Sequence, residues 1–184
     1  MKFDLLIRSL SEGTKYLDLQ KRLENHQAEF TIYPPFWRFF NRKLRHINFN
    51  WQCLDYATND NPVVAPGTPG IYLFVLKPPY SIFEDYNHVM YVGMSDEGLH
   101  ERLNNGYRTP SQIKARPHVW RLILDYGRYL RWYYLPLPGK TQGELEEIET
   151  FLIGYFCNPP INRKDAPTPI KEAKNQNSAY EKFQ

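Results

Sequence analysis

Cysteine is scarce in this chain, since only Cys53 and Cys157 occur among 184 residues. Neither belongs to a Cys-x-x-Cys pair, so the sequence excludes the disulfide frameworks of small secreted domains and the common cysteine-based zinc sites. Both residues stand next to apolar or aromatic neighbours, which favours reduced thiols in the core. We therefore expect a cytoplasmic protein.

Long apolar runs are also missing. No stretch approaches the roughly 18 uncharged apolar residues of a membrane span, and the short apolar run at the N-terminus is interrupted by charges. We therefore expect no membrane partner. The net charge is only +3, which is too small for a protein that binds nucleic acid through overall charge. Any nucleic-acid site must be a local patch.

Several common catalytic motifs are absent from the sequence. The five histidines form neither H-x-x-x-H nor H-E-x-x-H, and neither G-x-S-x-G nor G-x-x-x-x-G-K occurs. The simplest zinc-hydrolase, serine-hydrolase and phosphate-loop classes are thereby excluded. Aromatic residues, in contrast, make up 16% of the chain, which supplies both core material and surfaces on which bases can stack.

The distribution of apolar residues predicts an α/β (α+β) chain with three parts. Residues 1–66 should form a helical, aromatic-rich N-terminal extension packed on the core, residues 67–163 the core, and residues 164–184 a polar tail. Spaced leucines predict two short helices over residues 4–26, and a further helix should follow Pro34 and Pro35. The basic and aromatic run 36–46 fits either a phosphate-binding surface or an amphipathic helix with buried rings.

The core should contain a small three-stranded antiparallel sheet flanked by helices. Two β-rich runs, residues 71–76 and 89–92, predict an antiparallel pair joined by a long loop, and residues 128–135 predict a third strand. A short helix is expected over residues 98–105, closed by Gly106. Residues 119–126 fit either a helix or a strand.

The last predicted helix carries the clearest signal of a buried charge. Thr141 and Glu144 form a T-x-x-E capping box, and the helix should extend to about Phe156. A step of 100° per residue places Glu149 in the middle of an apolar stripe, which consists of Leu145, Ile148, Leu152 and Phe156. A carboxylate that faces the core needs a cation or hydrogen-bond donors, so Glu149 should have a partner.

The chain resembles the GIY-YIG nuclease family in an ordered set of motifs. The segment Gly70-Ile71-Tyr72 matches the first tripeptide, and Tyr91-Val92-Gly93 matches the second with one conservative change. Residues 98–103, with the sequence GLHERL, follow the second tripeptide, and Glu149 on the last helix leads to Pro160-Ile161-Asn162. The resemblance covers about residues 67–163.

This resemblance implies a metal-dependent endonuclease that hydrolyses phosphodiester bonds in nucleic acid, with DNA as the expected substrate. Tyr72 and Tyr91 would lie side by side on the sheet, and Arg102 would hold the scissile phosphate. Glu149 would bind Mg²⁺ or Mn²⁺, and Asn162 would close and orient the site. Tyr107 is a further substrate-binding candidate from the family pattern, and His100 is an auxiliary one. Lys114, Arg116 and His118 follow the Arg102 helix in sequence, which fits either an extension of its phosphate-binding surface or ordinary surface charge.

The assigned chemistry places one demanding requirement on a tyrosine. Phosphodiester hydrolysis needs neutralised charge, a stabilised leaving oxygen and a deprotonated water, and one divalent ion with an arginine supplies the first two. Tyr72 would supply the third as a base. Because a phenol has a reference pKa of about 10, it would need the metal or Arg102 nearby to favour its phenolate.

Two departures from the family pattern keep a second interpretation open. Met94 stands where a lysine often follows the second tripeptide. Gly106 occupies the position four residues after Arg102 where the family tends to place a histidine or tyrosine, and Tyr107 comes one residue later. The alternative is a nucleic-acid-binding or partner-recruited protein on a catalytically decayed GIY-YIG core.

Overall fold

The structure is a computed structural model that describes residues 34–58, 60–78, 87–156 and 159–162. The helices predicted over residues 4–26 and the polar tail lie outside the described residues. The described α-helices are α1 (Pro34–Leu44), α2 (Leu99–Glu101), α3 (Pro110–Lys114), α4 (Pro117–Tyr126) and α5 (Gln142–Tyr155). The described strands are β1 (Gln52–Asp55), β2 (Gly70–Leu76), β3 (His88–Ser95) and β4 (Leu130–Pro136).

The four strands form one antiparallel sheet in the order β1-β4-β2-β3. The mixed α/β class and the antiparallel sheet with flanking helices are confirmed, but the prediction of three strands is wrong. The additional strand is β1, which lies within residues 1–66 and pairs with β4. It has four residues and buries only Leu54, so its apolar alternation is too short to be recognised in the sequence.

Strand β1 also corrects the prediction for one cysteine. Cys53 is a free thiol, as expected, but it is exposed rather than in the core. Neighbouring residues on a strand point to opposite faces, so burial of Leu54 turns Cys53 toward solvent. The side chain of Cys157 lies outside the described residues.

Both faces of the sheet are covered, and β2 is accordingly apolar on both sides. One face carries Tyr72, Phe74 and Trp132, which pack against side chains from α2, α3 and α4. The other face carries Ile71, Leu73, Val75 and Leu135, which pack against α5 and the end of α1. The central strand therefore lies between two helical layers.

A π-helical turn, Arg102–Tyr107, continues α2. The N–H of Arg108 donates to the carbonyl of Leu103 over 3.0 Å, five residues back instead of four. The predicted end of the helix at Gly106 is therefore wrong, because the chain continues helically through Gly106 to Tyr107. Residues 119–126, for which helix and strand were both open, belong to α4.

Helix α5 begins and faces the sheet as the sequence predicts. The N–H of Glu144 donates to the Thr141 hydroxyl, and the N–H of Thr141 donates to the Glu144 carboxylate over 2.9 Å. Hydrogen bonds from Lys140 and Thr141 lower the pKa of Glu144 to about 2. None of the helices in the described part of the chain is long and apolar enough to cross a membrane.

Candidate active site

Tyr72 and Tyr91 lie on adjacent strands and on the same face of the sheet. Tyr72 is in the middle of β2 opposite Gly93, and Tyr91 is on β3 opposite Phe74. The centroids of the two tyrosine rings are 6.2 Å apart. The sheet register therefore brings the two tyrosines of the tripeptides together.

The glycine that ends the second tripeptide makes room for Tyr72. A Cβ atom at Gly93 would overlap the ring and the hydroxyl of Tyr72, which lies across it. The side chains of directly opposed residues on antiparallel strands lie next to each other on the same face of the sheet. A larger residue at position 93 would therefore displace the Tyr72 phenol.

The π-helical turn adds a third tyrosine to this pair. The hydroxyls of Tyr72 and Tyr107 are 2.7 Å apart and hydrogen-bonded, and their rings meet edge to face with centroids 5.7 Å apart. A π-helical turn is wider than an α-helical one, so the residue five positions after Arg102 returns to the face of Arg102. The extra residue between Arg102 and Tyr107 is thereby accommodated without losing Tyr107 from the site.

Tyr56 supports this turn, and sequence reasoning missed it. It follows β1 directly, and its hydroxyl donates to the carbonyl of Tyr107 over 2.6 Å. The guanidinium of Arg108 donates to the carbonyls of Thr58 and Asp60 over 2.8 Å each, which ties the segment after β1 to the same turn. No local pattern signals these contacts, because they join residues about fifty positions apart.

Two arginines lie over Gly106 and beside the tyrosines. A Cβ atom at Gly106 would meet Nη1 of Arg116 at 3.3 Å and Cδ of Arg102 at 3.4 Å. The guanidinium carbon of Arg116 lies 5.2 Å from the centroid of the Tyr107 ring, a cation–π arrangement. The Arg102 charge acts on the phenols of both Tyr72 and Tyr107.

Burial keeps the three clustered phenols neutral. Removal from water is the largest influence on each, and it raises the pKa of Tyr72, Tyr91 and Tyr107 above the ordinary value. Arg102 lowers the pKa of Tyr72, but burial and the neighbouring phenols outweigh it. Burial therefore favours the neutral phenol of Tyr72, and base catalysis by Tyr72 would need a bound divalent ion to offset it.

The raised tyrosine pKa values predict a loss of stability in alkali. Tyr56, Tyr72 and Tyr107 are each at most 2% exposed, so they ionise in the unfolded chain at about pH 10 but not in the folded one. Their contribution to stability is complete below pH 10 and declines above it. Above pH 10, each of these three tyrosines should lower the unfolding free energy by about 1.4 kcal/mol per pH unit.

Denaturant unfolding at several pH values above 10 measures this slope. Tyr72→Phe should reduce the slope by about one proton, that is by about 1.4 kcal/mol per pH unit. Tyr129→Phe changes an exposed ring and is the matched control. An equal slope in wild type and Tyr72→Phe would contradict the prediction.

Glu149 is buried on the sheet-facing side of α5 and is 5% exposed. The predicted position of this carboxylate on the apolar stripe is therefore confirmed. Its charge contributes to the raised pKa of Tyr91, so the carboxylate lies within electrostatic reach of the tyrosine cluster. α5 thus contributes an anion to the site while it packs against the sheet.

Asn162 binds the main chain of β3 between Tyr91 and Gly93. The N–H of Val92 donates to Oδ1 of Asn162 over 2.8 Å, and Nδ2 of Asn162 donates to the Val92 carbonyl over 2.7 Å. One residue earlier, the N–H of Ile161 donates to the carbonyl of Met90, the extra residue at the bulge in β3. These contacts occupy the edge of β3 and fix the strand that carries Tyr91.

The remaining predicted substrate contacts lie on α2, α3 and α4, the helices that cover this face of the sheet. His100 makes a 3.3 Å hydrogen-bonding contact with Asn104, whose amide also binds Asn61. Lys114 is the exposed last residue of α3, and His118 is the second residue of α4. The structure therefore places Arg116 against Tyr107 and connects His100 to Asn61, in the segment after β1, only through Asn104.

The donor set fits a hydrated divalent cation better than a metal held mainly by protein. Within residues 34–58, 60–78, 87–156 and 159–162, no group of three or more His, Cys, Asp or Glu side chains could hold a metal ion. A single carboxylate such as Glu149 suits Mg²⁺, which keeps several waters and takes substrate phosphate as a further ligand. The nearby phenols and arginines would be left to contact water and phosphate.

Comparisons with protein-family models, curated proteins and solved structures find no match for this chain.

Proposed function

We propose that this chain is a GIY-YIG type endonuclease that hydrolyses phosphodiester bonds in nucleic acid, with DNA as the expected substrate. One observation supports the proposal most. Tyr72, Tyr91 and Tyr107 meet on one face of the sheet, with Arg102 acting on two of the phenols and Glu149 on the third. Packing alone does not require a cation and a carboxylate at a cluster of buried hydroxyls.

Arg102 is assigned to the scissile phosphate. A guanidinium can donate to two phosphate oxygens at once, and it neutralises charge that develops on them during the reaction. The hydroxyls beside it are neutral, so they add donors without a competing negative charge. Glu149 would hold Mg²⁺ or Mn²⁺, which when bound polarises the phosphate and lowers the pKa of a coordinated water.

Tyr72 is assigned to orienting the attacking water. In the hydrogen bond between Tyr72 and Tyr107 one hydroxyl donates and the other accepts. The Tyr91 hydroxyl also hydrogen-bonds with this pair, so a water or a phosphate oxygen would take its donor from this set of three O–H groups. An oriented donor of this kind holds a nucleophile in line without giving or taking a proton.

A nucleic-acid-binding protein on a decayed core is the second candidate. Two observations favour it: burial holds Tyr72 neutral, and Met94, where the family often has lysine, packs into the apolar cluster on the other side of the sheet. Binding would need the arginines but not Glu149. Cleavage and binding therefore have to be measured separately.

The direct test is cleavage of supercoiled DNA, linear duplex, single-stranded DNA and RNA by the purified chain in Mg²⁺, Mn²⁺ or EDTA. We expect cleavage of DNA with either metal and none in EDTA. Arg102→Ala should lower the rate at least about 10²-fold, the low end for removing one preorganised donor to an oxyanion. Arg102→Lys should recover little, because an ammonium does not reproduce the two-oxygen contact.

Lys77→Ala is the control for Arg102→Ala. Lys77 is an exposed residue that directly follows β2, at the opposite end of the strand from Gly70. The substitution removes one positive charge and should leave the rate unchanged. DNA binding without cleavage under any metal condition would favour the decayed core. Equal cleavage by wild type and Arg102→Ala would remove Arg102 from the site.

A further inference from the structure

Arg116 is held in place by its main chain at the start of α4. Its N–H donates to the carbonyl of Ile113 over 2.9 Å, and its carbonyl accepts from the N–H of Trp120 over 2.8 Å. Pro117, which follows it, begins the helix. The side chain therefore leaves a fixed point and extends over the ring of Tyr107.

The end of this side chain is buried with an unused donor. Nη1 of Arg116 is inaccessible to solvent and has no hydrogen-bond partner among the described residues. A buried donor that lacks a partner is costly, more so when it carries charge, and native structures contain few of them. The donor is therefore available to a water or to a bound ligand.

A second positive side chain lies at the same place. A Cβ atom added at Gly106 would lie 3.3 Å from Nη1 of Arg116 and 3.4 Å from Cδ of Arg102. In the part of the chain that the structure describes, neither arginine has an ion pair with a carboxylate. Both side chains are cationic, so an anion bound at this place would be attracted by both.

We infer that Arg116 binds the phosphodiester backbone of the substrate beside Arg102, through its buried Nη1. This inference rests on the proposed function and adds a residue to it. A non-bridging phosphate oxygen would give Nη1 its partner. Gly106 has no side chain, which leaves room for both arginines, and the Tyr107 ring supports the Arg116 guanidinium from one side.

The alternative is a structural role, in which Arg116 serves only to pack against Tyr107. The two roles differ in stability and in salt dependence. A phosphate contact contributes a released counterion, so its loss lowers the slope of log binding constant against log salt by about 0.9 for duplex DNA. A packing contact contributes to unfolding free energy and leaves that slope unchanged.

The test is binding of a fixed-length DNA duplex in EDTA, where a metal-dependent enzyme cannot cleave it, over a series of salt concentrations. Arg116→Met keeps the apolar stem but loses the donors, and should lower both the affinity and the salt slope, the slope by about 0.9. Arg116→Lys keeps the charge and should keep the slope. Lys77→Met is the control, with the wild-type slope.

Stability measured on the same variants completes the test. Arg116→Met should unfold at the same or a higher temperature, because it removes an unpaired buried donor, and inorganic phosphate should stabilise wild type more than this variant. A folded Arg116→Met variant with the wild-type slope overturns the inference. If Arg116→Met fails to fold, an Arg116→Lys variant with normal affinity for duplex and phosphate overturns it. A wild-type chain that binds no duplex at all overturns the proposed function with it.

Discussion

Replacing Glu149 with glutamine is expected to lower the cleavage rate by about 10³-fold or more while the chain stays folded. Glu149 is buried on α5 and acts on Tyr91. Loss of the divalent ion removes several kcal/mol of charge stabilisation, and about 1.4 kcal/mol corresponds to a tenfold change in rate. Glutamine keeps the shape of the side chain, so the loss should appear as chemistry and not as binding.

The unfolding free energy of Glu149→Gln should stay close to that of wild type, because glutamine keeps the volume of the side chain and its capacity to hydrogen-bond. Glu147→Gln is the matched control, since it changes an exposed carboxylate on the same helix, and its rate should be unchanged. Excess Mn²⁺ should not restore Glu149→Gln. A Glu149→Gln variant that unfolds, together with a wild type insensitive to metal, would identify a structural charge instead.

Tyr72→Phe is expected to lose at least about 10²-fold in rate with little change in DNA binding. That is the low end of what one preorganised hydrogen-bond donor contributes in an active site. The ring and its volume are kept, so packing against Trp132 and Tyr107 should survive. Tyr107→Phe should lose a similar factor, because it removes the other half of the 2.7 Å hydrogen bond. Tyr91→Phe should also lower the rate.

The pH profile separates an orienting phenol from a base. Burial raises the pKa of Tyr72 and Tyr107, so both stay protonated up to at least the ordinary phenol value of about 10. The factor lost in Tyr72→Phe should therefore be constant across neutral and mildly alkaline pH. A factor that grows tenfold per pH unit would show that the phenolate acts.

Tyr133→Phe is the matched control for the tyrosine variants. Tyr133 is on β4 but packs into the apolar cluster on the other side of the sheet, so its loss should leave the rate unchanged. Near-wild-type cleavage by Tyr72→Phe, Tyr91→Phe and Tyr107→Phe alike would mean that the tripeptides serve only as scaffold. The decayed-core interpretation would then replace the proposed one.

Local sequence signals determined the parts of the fold that repeat over several residues. The apolar runs of β2 and β3 predicted an antiparallel pair, and the structure confirms it. The capping box at Thr141 and the 3.6-residue period after it predicted both the start of α5 and the burial of Glu149. These predictions succeeded because strand alternation, helix period and capping are set by neighbours in the chain.

Contacts between distant residues determined what the sequence did not. Strand β1 has one buried apolar residue, so only its pairing with β4 makes it a strand. The neutral state of Tyr72 also has no sequence signal, because it results from the burial of that residue between the sheet and its helices. A pKa depends on the surroundings in space and cannot be assigned from neighbours in the chain.

The π-helical turn shows the division most clearly. The sequence placed Tyr107 one residue too late for an α-helix that carries Arg102, and Gly106 gave a plausible helix end. The structure instead widens the turn, which allows Tyr107 to reach the Tyr72 hydroxyl and allows Tyr56 to bind its carbonyl. A π-helical turn is intrinsically unfavourable and rare. The sequence therefore determined which residues were present, whereas tertiary hydrogen bonds to β2 and to the residue after β1 decided where Tyr107 lies.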